Sequence, residues 1–123
     1  KAEVERWRDH CLFRVEAQDR VAETVVGRDS TTHRMSTAHL TSAIDELLEF
    51  CFCPENLFAV TDRVLTVVVG LLGAPPHPGS EGAARVLWRL TEYGELAVRA
   101  VELDAVSLLC DMALALGRGP LPD

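Results

Sequence analysis

The chain has no run of about eighteen apolar residues, and its most apolar stretch, Val64 to Leu72, is far too short to cross a bilayer. It also lacks a basic start followed by an apolar stretch and a small-residue cleavage site. It opens at Lys1 without Met, so it reads as a piece of a longer chain. Clustered cations are missing as well. Residues 1 to 34 hold seven Lys/Arg and seven Asp/Glu, and residues 35 to 123 hold five against twelve, which puts the whole net charge of −7 in the later part. A surface that tracks phosphates needs the reverse, so nucleic-acid binding is not expected. An acidic helical protein suits a basic or apolar peptide better. Nor is there a glycine loop to cradle a phosphate: Gly117-Arg118-Gly119 is too short and comes after a helical pattern instead of preceding one.

A disulfide framework and a zinc site are equally poorly supplied. The four cysteines are Cys11, Cys51, Cys53 and Cys110, three of them inside apolar helical patterns, which suits reduced, core-filling thiols in an intracellular, cytoplasmic protein. Cys51 and Cys53 with His33 or His39 could be imagined as metal ligands, but no second cysteine pair is present. His10, His33, His39 and His77 have no nucleophile and carboxylate in recognisable spacing, so no catalytic residues, cofactor or metal are expected.

What the chain does have is helical periodicity. Val4, Trp7, Cys11, Leu12, Val15, Val21 and Val25 recur at three- and four-residue steps, so residues 1–27 read as a long amphipathic helix stopped by Gly27. Residues 28–37 are polar and rich in hydroxyls, a linker by composition that could be phosphorylated, with Ser36 or Thr37 available to cap the next helix. Leu40, Ala43, Ile44, Leu47, Leu48 and Cys51 form the stripe of that helix, ended by Pro54, which can open a short helix. A longer helix comes after a bend near Thr61-Asp62. Val67-Val68-Val69 would also suit a strand, but the matching segment Ser107 to Met112 has helical propensity, so helix is expected in both. Three prolines and two glycines in residues 74–80 and just before make a loop, and residues 118–123 make a tail.

The two halves between these breaks echo each other. Val60, Leu65, Val68 and Leu71 are matched, each 41 positions later, by Val101, Val106, Leu109 and Met112. A period of that length belongs to helical solenoids, in which one unit cannot cover its own apolar face and stacks on the next. Ala83-Ala84-Arg85-Val86-Leu87-Trp88-Arg89-Leu90, with Ala100 to Leu109 behind it, resembles an armadillo repeat. Glu102, Ala105, Val106 and Leu109 fit the pattern, and Asp104 stands where the family usually has Gly, so the corner there is formed less easily.

The resemblance, which covers about residues 38 to 116, implies an all-α, armadillo-like α-solenoid fragment. Residues 38–73 and 81–117 would be its two repeats and the first helix its cap. It also implies a non-enzymatic adaptor that binds a peptide or helix of a partner protein on a concave face. The Trp and Asn with which the family's peptide carriers grip a backbone are absent: Asp45 and Glu49 stand there in one repeat, Arg85 and Arg89 in the other. An acidic pair beside a basic pair is either an exposed ion-pair ladder or, with Glu92, a partner site. Trp88 is expected in the core or at a seam between repeats. Trp7 and Phe13 are the candidates for a second reading, in which an exposed solenoid end docks on another copy or on the rest of its own chain.

Overall fold

The computed structural model describes residues 2–24, 30–73 and 78–117, and among them every regular element is helical. In order these are α1 (Ala2–Thr24), α2 (Ser30–Phe52), a 3₁₀ segment (Pro54–Ala59), α3 (Asp62–Gly70), α4 (Ser80–Leu90), α5 (Gly94–Glu102) and α6 (Ala105–Gly117). The all-α expectation holds, and Val67 to Val69 lie in a helix. Burial outweighs the weak helix preference of β-branched residues there: Val64, Leu65, Val68 and Val69 all face the core, each contributing about 1.5–3 kcal/mol. The short helix opened by Pro54 and the bend before Asp62 also occur where the sequence places them.

The polar segment read as a linker is different. From Ser30 onward it is part of α2, and Ser36, expected as a cap, is a buried residue in the helix interior. Its burial extends the stripe Leu40–Ala43–Ile44–Leu47 by one more turn, in a segment with no strong preference of its own. Thr41 lends a hydroxyl hydrogen bond to the Thr37 carbonyl, 2.9 Å away. The expected stop at Gly27, most of the loop at 74–80 and the tail lie outside the described residues.

α1 lies along α2, α2 packs on α4, α3 on α4 and α5, and α5 on α6. The core runs through this succession, from Cys11 and Val15 through Leu47 and Phe50 to Leu65, Val86 and Leu90. The approach of α2 to α4 is close: a Cβ on Gly82 would lie 2.6 Å from Ile44 Cγ2, so only glycine fits there without a shift. At the corner between α5 and α6, Asp104 adopts φ 72° and its N–H donates to the Val101 carbonyl at 2.9 Å, ending α5 with a left-handed residue. Aspartate takes the place of glycine here, at a backbone cost of about 1–2 kcal/mol.

Candidate partner-binding surfaces

The last carbonyls of α2 have no partners within the helix, and the residues around them supply the missing donors. Cys53 Sγ reaches the Glu49 carbonyl at 3.7 Å, and the buried Asn56 Nδ2 donates to Phe50 O at 3.0 Å. Arg89, from α4, donates through Nε to Cys51 O at 3.2 Å and through Nη2 to Phe52 O at 3.1 Å. Its guanidinium also lies 5.3 Å from the Phe52 ring centroid, 5.5 Å from that of Tyr93, and 2.9 Å from Glu92 Oε2. A cation at a helix C-terminus opposes the helix dipole favourably. Arg89, with a side chain only 11% exposed, is thus committed to clipping α4 onto the end of α2 and is not a free groove residue.

Of the other residues singled out from the sequence, Asp45 and Arg85 do meet. They border one small cavity of 60 Å³ together with Ile44 and Gly82. Arg85, however, pairs with Glu81 of its own helix at 2.7 Å, and no ion pair joins Asp45 or Glu49 to Arg85 or Arg89 among the described residues. Trp7 is half-buried and meets Phe50 edge-on at 5.1 Å, which makes it a packing residue more than an open anchor. Phe13 is exposed, beside a 200 Å³ hollow crossed by the 2.7 Å Arg63–Glu16 pair. Trp88, expected in the core or at a seam between repeats, is 67% exposed and so is not a core residue, and Cys110, expected as a core thiol, is exposed too. On α6 only Ala105 and Met112 are buried, which leaves Cys110 on the outer side.

The two thiols that are buried behave as core atoms. Burial pushes Cys11 up to about 11 and Cys51 up to about 12, so both stay protonated and poorly nucleophilic near neutrality. Among the described residues no group of three or more His, Cys, Asp or Glu is placed to hold a metal ion, and no helix is long and apolar enough to cross a membrane.

One further hollow brings together residues that no sequence pattern connects. An open groove of about 580 Å³ runs between the 3₁₀ segment and the start of α5, with Leu57, Phe58, Val60, Tyr93 and Leu96 as its apolar lining and Glu92 and Glu95 at its edge. Phe58 is exposed in it, while Arg89 underneath holds both the Tyr93 ring and the Glu92 carboxylate in place. Of the stripe read from the sequence, only Glu92 lines this groove. The available signal was the pair Leu57-Phe58 in a short proline-initiated helix, too brief to bury both faces. No family model, no curated protein and no solved structure matches this chain. Its function therefore has to be read from its surfaces.

Proposed function

We propose that this chain is a non-enzymatic protein-interaction module, an armadillo-like fragment of a helical solenoid, that holds a peptide or helix of another protein. The 41-residue echo and the succession in which α2 is flanked by α1 and α4 support the solenoid reading. The observation that carries the binding reading is the groove beside Phe58. It is an apolar trough bordered by two carboxylates, suited to a peptide that inserts an aliphatic side chain and carries a Lys or Arg beside it. The protonated, buried thiols fit a reducing, intracellular setting.

The test is titration of a short peptide carrying leucine between two arginines. Phe58→Asp and Glu95→Lys are expected to weaken binding at least tenfold while leaving the melting temperature within a degree or two, because both side chains are exposed. Unchanged binding in both variants contradicts the groove. Loss of binding in Arg85→Glu instead would return the site to the Asp45/Arg85 stripe.

A further inference from the structure

Of the two carboxylates that edge the groove beside Phe58, one is already committed. Glu92 Oε2 accepts from Arg89 Nη1 at 2.9 Å, and the rest of that guanidinium is fixed: Nε donates to Cys51 O, Nη2 donates to Phe52 O, and the Tyr93 ring centroid lies 5.5 Å away. Arg89, with its side chain 11% exposed, cannot swing aside without leaving those two carbonyls unpaired. Glu95 is different. It is exposed in the first turn of α5, edges the same groove, and joins no ion pair or side-chain hydrogen bond among the described residues. The one cation on its helix, Arg99, lies a turn further on and is turned to Asp62 and Glu102, 3.1 and 3.5 Å away. Behind the opposite wall, Arg8 donates to Ala59 O at 3.2 Å and pairs with Asp9.

An incoming cation therefore meets two unlike sites. At Glu92 it stands beside a fixed guanidinium and competes for a carboxylate that guanidinium already holds. At Glu95 it meets a carboxylate with no cation paired to it. Like charges brought together at an interface cost affinity, and a charge that gains its first partner adds to it. We infer that Glu95 alone reads the partner's charge, that Glu92 and Arg89 serve to hold the Tyr93 wall, and that the groove selects a peptide with an aliphatic anchor and a single Lys or Arg facing the start of α5. This rests on the groove being the binding site, and adds which carboxylate discriminates and how many cations it takes. A glutamate in a first turn also suits the helix dipole, but that role alters stability and leaves a peptide's charge unread.

The test is calorimetric titration of short peptides in which leucine is flanked by two arginines, by one arginine on either side, or by glutamines only. One of the single-arginine peptides is expected to bind about three- to fivefold more tightly than the glutamine peptide, the range of an exposed ion pair, and a second arginine to add little. Glu95→Gln is expected to abolish that preference. Glu92→Gln is expected to keep most of it, even where all the peptides bind less well, because a charge farther from the peptide's arginine is largely screened at physiological salt. Equal gains from the two arginines, or loss of the preference in Glu92→Gln as large as in Glu95→Gln, overturns the inference and leaves the groove in place. A Glu95→Gln protein that melts lower but keeps the preference assigns Glu95 to the helix dipole and overturns it too. Binding that Phe58→Asp does not weaken, or no binding by any peptide, overturns the groove itself and the inference with it.

Discussion

The α2–α3 half and the α4–α6 half carry related apolar patterns and differ in how many sides are covered. α2 lies between α1 and α4, and its end is closed by Asn56 and Arg89, so its stripe from Leu40 to Phe50 is fully buried. α6 is more apolar in composition than α2, yet only Ala105 and Met112 are buried. An apolar pattern states which side of a helix wants cover; the neighbouring helices determine whether it gets it. The result is a gradient of stability along the chain, with the first half tightly held and the last helix held by little more than α5.

Matched substitutions should break this symmetry most visibly. Leu65→Ala opens a cavity in the core and should cost about 2–5 kcal/mol in denaturant unfolding, whereas Val106→Ala, at the equivalent position, should stay within about 0.5 kcal/mol. Similar losses at both sites would mean that the second half is as well covered as the first. Next in size is Arg89→Ala. It removes two hydrogen bonds to the end of α2 and a stacked cation, and should cost about 2–4 kcal/mol, with Arg89→Lys recovering only part because a lysine cannot span both carbonyls. An Arg89→Ala protein of unchanged stability would return that residue to the pool of free partner contacts.

The buried thiols predict a pH effect confined to the first half. An unfolded thiol releases its proton near 9, while Cys11 and Cys51 hold theirs to about 11 and about 12, so in that window the native state carries more protons than the unfolded one. Stability is then intact below about pH 9 and falls as pH rises through 9 to 11. Cys51→Ala should flatten that slope, and Cys110→Ala should not, as melting temperatures measured across the range will reveal. The smallest expected effect is at the corner of the second half. Asp104→Gly relieves a left-handed aspartate and should stabilise by about 0.5–1 kcal/mol, while Asp104→Ala should destabilise by a similar amount. A gain from alanine would contradict the corner geometry.

Much of this architecture is legible in the residues, because three- and four-residue apolar spacing, Pro54 and the break near residue 78 act locally. The start of α2 was not legible. Ser30 to Thr37 has loop composition, yet it is helical in the structure, with Ser36 buried one turn before Leu40. The role of Arg89 was hidden for a related reason. A wheel of α4 sets it on the outer side with Arg85, but the end of α2 lies within reach of Arg89 and turns a surface cation into a cap. Whether Trp88 lies in the core was not legible either, because its helix alone does not say that this side chain is exposed. The groove at Phe58 needed the 3₁₀ segment and the α4–α5 turn side by side, a juxtaposition of residues more than thirty positions apart.

Native-state hydrogen exchange tests the uneven cover most directly. Amides of α2 and α3 are expected to exchange only when the whole protein unfolds, and those of α6 through local opening at markedly lower free energy. Protection of α6 equal to that of α3 in the isolated chain would contradict it.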